Sequence, residues 1–205
     1  MKVAVVGGTG SFGQAVARRL VDAGVEVVIG SRDAARAREA AAPLGAEGAA
    51  NADAVGDVDL VVLAVKAEAA VETARELREA IGGTPVLSVA AELRFGSGGV
   101  KPTEEATSIA QRIQDELDAP VVAGLHSLAA SNLTEAPPDE DALVCGDDAD
   151  AKAVALDLAA RLVSGRAVDA GPLASARALE GLTAVIVNVN KRYKAHAGVR
   201  VTGLG

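Results

Sequence analysis

The segment Gly7-Gly8-Thr9-Gly10-Ser11-Phe12-Gly13 decides the fold of this chain. It follows Lys2–Val6, a short run that is almost entirely apolar, and it leads into Phe12–Ala23, where apolar residues recur at helical spacing. A strand, a glycine-rich turn and a helix in that order are typical of the first half of a βαβ unit.

Three glycines of this segment satisfy the pattern G-x-G-x-x-G, namely Gly8, Gly10 and Gly13. In that pattern the first glycine permits a tight turn, the second lets a pyrophosphate approach the main chain, and the third lets the helix pack closely on the strand. The first N–H groups of the helix then face the anion. The pattern predicts a dinucleotide-binding turn, and a plain turn between strand and helix is the alternative.

The same alternation of elements continues through the first half of the chain. Further strands are predicted at Glu26–Ile29, Asp59–Val65, Pro85–Val89 and Pro120–Leu125, and helices at Asp33–Ala42 and Ala67–Ile81. Nearly continuous apolar strands between helices are typical of a parallel sheet covered on both faces. We therefore predict an α/β fold with a doubly wound parallel sheet of the Rossmann type.

The second half is less regular and contains the best candidate for a domain boundary. Glu92–Pro102 is glycine-rich and predicts a loop, and Thr103 is a candidate cap for a helix reaching about Leu117. The polar, proline-bearing stretch 131–141 separates two regions. We predict a dinucleotide-binding domain over residues 1–130 and a small C-terminal α/β segment over 142–205. Its predicted elements are Leu143–Cys145, Asp150–Leu162, Arg166–Asp169 and Leu173–Ala195.

Composition excludes several classes of function. With 20 Lys plus Arg against 28 Asp plus Glu the net charge is −8, which argues against a nucleic-acid partner. One cysteine and two histidines cannot supply a disulfide framework or a structural zinc site, so no metal is expected. The absence of a long apolar run argues against a membrane partner. Because Met1 and Lys2 lead directly into a predicted strand, we expect a cytoplasmic protein.

The end of the second strand indicates which dinucleotide binds. Enzymes that use NAD usually place a carboxylate there for the ribose 2′-hydroxyl, whereas this chain has Gly30-Ser31-Arg32. Ser31 and Arg32 suit a 2′-phosphate, and Arg36 follows one helical turn later. NADP is therefore the predicted dinucleotide. NAD stays open because Asp33 comes next, as does the alternative that these arginines are only a solvated helix start.

The chemistry that the residues favour is hydride transfer. The sequence contains no G-x-S-x-G elbow and no recognisable nucleophile–base pair, so hydrolysis is unsupported. Hydride transfer needs mainly alignment of two cofactors, and no catalytic residue is assigned. Val65 and Lys66 end the third strand, where nicotinamide contacts are expected, although Lys66 is equally well explained as a surface charge. His126 follows the fifth strand, where a second ring system would dock, and a structural histidine is its alternative.

Several segments together resemble the NADPH-dependent coenzyme F420 reductases. The segments that carry the resemblance are the glycine turn, Gly30-Ser31-Arg32, Leu125-His126-Ser127, Val144-Cys145-Gly146-Asp147-Asp148, Asp169-Ala170-Gly171-Pro172-Leu173 and residues 190–200. The last of these resembles the actinobacterial branch. The resemblance implies an oxidoreductase that passes a hydride between NADP(H) and the deazaflavin ring of coenzyme F420, and it implies a homodimer.

The resemblance also implies which residues contact each cofactor. Those implied for the 2′-phosphate and pyrophosphate are Thr9, Gly10, Ser11, Phe12, Ser31, Arg32 and Arg36. Those implied for the nicotinamide are Val65, Ala67, Val71 and Ala90, and those implied for the deazaflavin are His126, Ser127, Leu128 and Ala129. The C-terminal segment is expected to close the deazaflavin site across the dimer.

Two stretches depart from the family pattern, and one cationic cluster is a candidate contact for the acidic end of coenzyme F420. Lys66-Ala67 stands where some members have Pro-Trp, and Ala90–Val100 is unlike the Pro-rich loop expected there. The phosphate and glutamate tail of F420 predicts a basic contact, for which Lys191, Arg192, Lys194 and Arg200 are the candidates. The alternative is a charged helix end, where the helix dipole favours cations. The alternative functions are an NADPH-dependent reductase of a small carbonyl, imine or flavin, and a non-catalytic NADP sensor.

Overall fold

The structure, a computed structural model, describes residues 1–204. It contains ten strands and seven α-helices in this part of the chain. The strands are β1 Lys2–Val6, β2 Glu26–Ser31, β3 Glu47–Ala50, β4 Leu60–Leu63, β5 Val86–Ser88, β6 Leu93–Gly96, β7 Gly99–Pro102, β8 Val121–Gly124, β9 Ala142–Gly146 and β10 Ala167–Asp169. The helices are α1 Ser11–Asp22, α2 Ala34–Ala41, α3 Asn51–Ala54, α4 Ala67–Ile81, α5 Ile109–Gln114, α6 Ala149–Leu162 and α7 Ala176–Tyr193.

Eight strands form one sheet in the order β10-β9-β8-β5-β4-β1-β2-β3. All neighbouring pairs are parallel except β8 and β9, which are antiparallel. The predicted doubly wound α/β fold is therefore confirmed. The strands of the predicted C-terminal segment, β9 and β10, extend this sheet; the division into regions 1–130 and 142–205 stays a prediction.

Two apolar clusters cover the two faces of the sheet, because alternate residues of each strand point to opposite sides. On β1, Val3 and Val5 belong to one cluster, which also takes in α1 and α6, whereas Ala4 and Val6 belong to the other, with α4, α5 and α7. Val, Leu, Ile and Ala supply almost all of this core. The helices thus hold the strand ends at one edge of the sheet in fixed positions.

The segment predicted as a loop is a β-hairpin, so that prediction is wrong. β6 and β7 pair in antiparallel register from Leu93 with Pro102 to Gly96 with Gly99. The glycines between them, which suggested a loop, form the tight turn, and Gly99 has φ +104°. Sequence alone does not show this because only Val100 of the hairpin is buried, which leaves no clear alternation of apolar residues.

Helix α5 begins later than predicted. Ser108 caps it: its hydroxyl accepts from the Gln111 N–H at 3.1 Å, and the Gln111 side chain accepts from the Ser108 N–H at 2.9 Å. Thr103 is not the cap, because its hydroxyl donates instead to Glu92 at 3.1 Å and closes the base of the hairpin. Strand β3 and helix α3 were not predicted, since Glu47–Ala50 is a short edge strand of Ala, Gly and Glu.

Candidate functional site

The candidate site lies where the winding of the sheet reverses. β1 pairs with β2 on one side and with β4 on the other, and the chain leaves β1 and β4 toward helices on opposite faces. A crevice forms at such a point beyond the carboxyl ends of the strands, and ligands of doubly wound sheets bind there. Two cavities, of about 490 Å³ and 270 Å³, lie at these strand ends and share Ala64, Val65 and Lys66 as lining residues.

The glycine turn fits tightly between β1 and α1. Gly7 has φ +81°, and a Cβ atom there would lie 2.7 Å from the Ala64 carbonyl oxygen. A Cβ on Gly13 would lie 2.6 Å from the Gly7 carbonyl oxygen, so close packing of helix on strand requires this glycine, as predicted. The left-handed conformation is at Gly7, whereas Gly8 is needed because a Cβ there would approach Val5 and Ile29 within 2.9 Å.

The amino terminus of α1 can accept an anion. Gly10 occupies the N-cap position and offers no side chain to the first N–H groups, and the first turn of α1 contains no acidic residue. Gly10 itself is exposed, and a Cβ there would meet only the Gly7 oxygen, at 3.4 Å. Free N–H groups, the helix dipole and an open main chain fit a pyrophosphate.

Arginines follow the end of β2, and the carboxylate of Asp33 beside them is already hydrogen-bonded to the main chain. Arg32 and Arg36 line the larger cavity with Ser31. The Asp33 carboxylate caps α2 by accepting from the Ala35 N–H at 2.9 Å and the Arg36 N–H at 3.4 Å. Because Asp33 serves the helix, the arrangement favours a 2′-phosphate over the free ribose hydroxyl that a strand-end carboxylate would bind.

Asn51 is a candidate ligand that sequence reasoning missed. It begins α3 and lines the larger cavity, and its Oδ1 atom is buried without a hydrogen-bond partner. A buried polar atom of this kind gains from a donor on a bound molecule. No sequence signal marks it, because its position depends on β3 pairing beside β2.

The smaller cavity is apolar apart from a few groups that face it. Leu125 adopts φ +64°, an uncommon conformation for a buried leucine, and turns the chain so that His126 reaches the cavity. The His126 Nε2 atom lies 3.1 Å from the Ala90 carbonyl oxygen, which fixes Nε2 as the protonated nitrogen. Thr183 of α7, also not predicted, lines the cavity and donates to the His126 carbonyl at 2.8 Å.

His126 is a neutral acceptor in this environment. Only 6% of the residue is exposed, and burial lowers its pKa to about 4 against the opposing effect of the Ala90 carbonyl. Its Nδ1 atom is buried without a partner. The imidazole can therefore accept one hydrogen bond from a ring amide or hydroxyl at neutral pH.

The structure brings together most of the predicted site residues. The larger cavity contains Thr9, Gly10, Ser31, Arg32, Arg36 and Val65; the smaller contains Phe12, Val65, Ala67, Ala90, His126 and Leu128. Gly8 and Gly13 lie buried beneath the turn, and Ser11 lines a third cavity, which adjoins these two. Val71 packs against the core and Ser127 is buried near the Asp141 carbonyl, so neither lines these two cavities, nor does Ala129.

The proposed basic cluster is partly engaged by the protein itself. Lys191 lies 5.5 Å from the centre of the Phe95 ring, at the tip of the hairpin. Arg200 pairs with Asp139 and lies 3.9 Å from Asp141. Arg192 and Lys194 are exposed.

Comparison with known proteins identifies the family of this chain. A family model described as NADP oxidoreductase, coenzyme F420-dependent, matches residues 2–92. The F420-dependent NADP reductase of Methanothermobacter thermautotrophicus is 36% identical over 222 aligned residues, covering 100% of this chain and 96% of the relative. That of Methanocaldococcus jannaschii is 34% identical over 223 residues, covering 100% and 99%. The chain belongs to the F420-dependent NADP reductase family.

A solved structure supports the membership of the F420-dependent NADP reductase family. A protein of Arthrobacter sp. FB24, described as an F420-dependent NADP reductase, superposes with a TM-score of 0.83 at 29% identity, and the match covers 99% of this chain and 100% of that one. The resemblance seen in the sequence is thus confirmed over the whole length. Among residues 1–204, no helix is long and apolar enough to cross a membrane.

Proposed function

We propose that this chain transfers a hydride between NADP(H) and the deazaflavin coenzyme F420. One observation carries the proposal: the cavity lined by Arg32 and Arg36 and the apolar cavity beside His126 share the wall Ala64-Val65-Lys66. A dinucleotide whose phosphates lie in the first cavity would place its nicotinamide at this wall, with a second ring on its other side. Names of relatives at 34–36% identity support both cofactors.

Each group of residues has a distinct part in this function. The N–H groups that open α1 hold the pyrophosphate, and Ser31, Arg32 and Arg36 bind the 2′-phosphate. Phe12, Leu125 and Leu128 supply apolar surface that excludes water from the two rings. Rate then comes from alignment of the donor and acceptor carbons.

The reaction needs no protein nucleophile. When bound, the nicotinamide and the deazaflavin would themselves supply hydride transfer between C4 of the one and C5 of the other, with one proton from solvent balancing reduction of the deazaflavin. His126 is a positioning residue here, because its neutral Nδ1 can accept a hydrogen bond but has no proton to give. Its bond to Ala90 ties it to the chain segment that follows β5.

The homodimer predicted from the resemblance forms part of the proposal. One stripe of α7 carries Leu182, Val185 and Val189 at helical spacing, and Val185 is 57% exposed. A helix face of this kind suits packing against the same face of a second copy. Analytical ultracentrifugation of wild type and Val185→Lys tests this, and a monomeric wild type contradicts the dimer.

We place the enzyme in the cytoplasm, in keeping with the buried free thiol of Cys145. Fractionation of source cells, with NADPH-dependent F420 reduction followed in each fraction, tests this location.

The deciding experiment mixes the purified protein with NADPH and oxidised F420 and follows loss of the visible absorbance of the deazaflavin. NADH in place of NADPH, and FMN in place of F420, are the parallel controls. Bleaching with NADPH and F420 alone is the expected result. Tight NADPH binding without bleaching contradicts the proposal and points to a different acceptor or to a non-catalytic NADP-binding protein.

A further inference from the structure

A third cavity, of about 700 Å³, lies beside the two cofactor cavities and shares Thr9 and Arg36 with the larger of them. It is formed between one face of α1, the second half of α2 and the short helical turn Ala130–Leu133. Its lining residues are Thr9, Ser11, Gln14, Ala15, Arg18, Arg36, Glu39, Ala40, Pro43, Leu44, Ala130, Ser131 and Thr134.

This cavity is locally cationic on an acidic protein. Arg18 and Arg36 face one acidic residue, Glu39, so the formal charge of the lining is 2 − 1 = +1, while the whole chain has −8. Arg36 also lines the larger cavity, so Arg18 is the cation that belongs to the third cavity alone. Hydroxyl groups of Ser11, Ser131 and Thr134 and the amide of Gln14 add hydrogen-bonding groups along the walls. An extended anion that would be repelled elsewhere on the surface finds both charge and donors here.

The third cavity adjoins the smaller cavity, called the ring cavity here because we propose that the deazaflavin ring binds in it. The two are connected through neighbouring residues of the chain. Phe12 and Leu128 line the ring cavity, whereas Ser11 and Ala130 line the third cavity. Ser11 directly precedes Phe12 in the chain, and only Ala129 separates Leu128 from Ala130. A flexible chain attached to a ring in the first cavity can therefore enter the third by passing over this rim, since one residue length of chain spans about 3.5 Å.

We propose that the third cavity binds the phosphate and glutamate tail of the acceptor coenzyme, with Arg18 as its specific contact. This inference rests on the proposed function. It places the tail away from the basic residues that follow or end α7, because Lys191 already lies against Phe95 and Arg200 already pairs with Asp139. His196, which follows α7, lies next to one lining residue of this cavity: its Nδ1 is 3.3 Å from the Ser131 hydroxyl.

The test compares two acceptors: F420 with its full tail, and the truncated deazaflavin that ends at the ribityl hydroxyl. Arg18→Gln is expected to raise both KM and Kd for the full coenzyme about three- to tenfold, because a partly exposed charge contact is lost. KM and Kd for the truncated acceptor, and KM for NADPH, should not change. Kd is measured by calorimetry, and the effect should shrink in high salt.

Two variants serve as controls. Arg38→Gln makes the same change of charge on exposed α2 but lines none of the three cavities, so it should leave both acceptors unaffected. Arg18→Lys keeps the charge and should restore most of the affinity.

Two results would overturn the tail site. One is an equal rise of KM for both acceptors in Arg18→Gln. The other is no rise in that variant together with a tail-specific rise when Lys191, Arg192 and Lys194 are all changed to Gln, which would place the tail at the end of α7. If wild type bleaches neither acceptor, the proposed function fails, and the calorimetric comparison still decides where the tail binds.

Discussion

The side-chain amide of Asn188 forms two hydrogen bonds to the main chain of Val100. Its Oδ1 accepts from the Val100 N–H at 2.8 Å, and its Nδ2 donates to the Val100 carbonyl at 2.7 Å. Asn188 thereby fastens the hairpin to α7 in the way a neighbouring strand would. A Cβ on Gly99 would lie 2.7 Å from Asn188 Oδ1, so the close approach also requires this glycine.

Loss of the two Asn188–Val100 hydrogen bonds should make one wall of the ring cavity more mobile, because Leu93 of the hairpin lines this cavity. Asn188→Ala is expected to cost about 1–3 kcal/mol of unfolding free energy and to raise KM for F420 several-fold, with KM for NADPH unchanged. Urea unfolding and steady-state kinetics measure both. Asn190→Ala is the matched control, because Asn190 bonds the Ala197 N–H after the same helix and does not touch the hairpin. Equal kinetic effects of the two variants would refute the positioning role.

Arg32 should decide between NADPH and NADH. Arg32→Ala removes the contact that we propose for the 2′-phosphate, worth about 1.5–3 kcal/mol for a charge-assisted hydrogen bond, and should raise KM for NADPH tenfold or more. KM for NADH should barely move. Arg38→Ala, on the helix that follows Arg32 and outside the cavity, should behave as wild type. An equal rise of KM for NADPH and for NADH would mean that the 2′-phosphate lies elsewhere.

Gly13 should tolerate no side chain. In Gly13→Ala the new Cβ meets main-chain atoms of Gly7 and Gly8 at 2.6 and 2.8 Å, so the turn must move away from α1. We expect a loss of about 1–3 kcal/mol in stability and a large loss of NADPH affinity. Gly83→Ala, where nothing lies within 4 Å, is the control and should change neither. Calorimetric titration with NADPH at a temperature where both variants are folded separates the two effects.

His126 should act as a neutral acceptor. His126→Gln can keep the bond to Ala90 but loses Nδ1, and we expect KM for F420 to rise about three- to tenfold. In His126→Asn, which retains an acceptor near the position of Nδ1, KM for F420 should rise less.

The pKa of His126, about 4, also predicts that KM for F420 does not titrate with an ordinary histidine value of about 6.5. KM measured from about pH 6 to 8 should therefore be flat. A titration of KM centred near the ordinary value, absent in His126→Asn, would contradict the neutral state.

Asp141 should make the stability of the fold sensitive to acid. Its buried carboxylate accepts from Arg166 at 3.0 Å and from the Val201 N–H at 2.9 Å, and these donors, Arg166 first, lower its pKa well below the ordinary range. The unfolded chain, with an ordinary pKa of about 3.9, therefore binds a proton before the folded chain does as pH falls. The stabilisation is fully present at neutral pH and is lost progressively below about pH 5.

The measurement for Asp141 is urea unfolding between about pH 3 and 7. Wild type should lose stability on acidification more steeply than Asp141→Asn, which is expected to be less stable at neutral pH. Identical slopes would show that other carboxylates determine the acid limit.

The first half of the fold and the nucleotide turn follow from local sequence. The helix boundaries Ala67–Ile81 agree with the prediction because its buried residues, Ala70, Ala74, Leu77 and Ile81, keep helical spacing. The close packing at Gly13 is just as local, since a Cβ there would meet main-chain atoms of Gly7 and Gly8. Residue types near strand ends therefore suffice to predict the crevice that we propose for the dinucleotide.

Only the tertiary structure shows how the hairpin is attached and how His126 is oriented, because these features depend on residues far apart in the chain. The hairpin is attached to α7 by the pair Asn188 and Val100, 88 positions apart, and His126 is oriented by Ala90, 36 positions away. Asp33, which left NAD open in the sequence, is a helix cap in the structure. Such pairings leave no periodic signal: a hydrogen bond or a buried Nδ1 depends on distances that only the folded chain fixes.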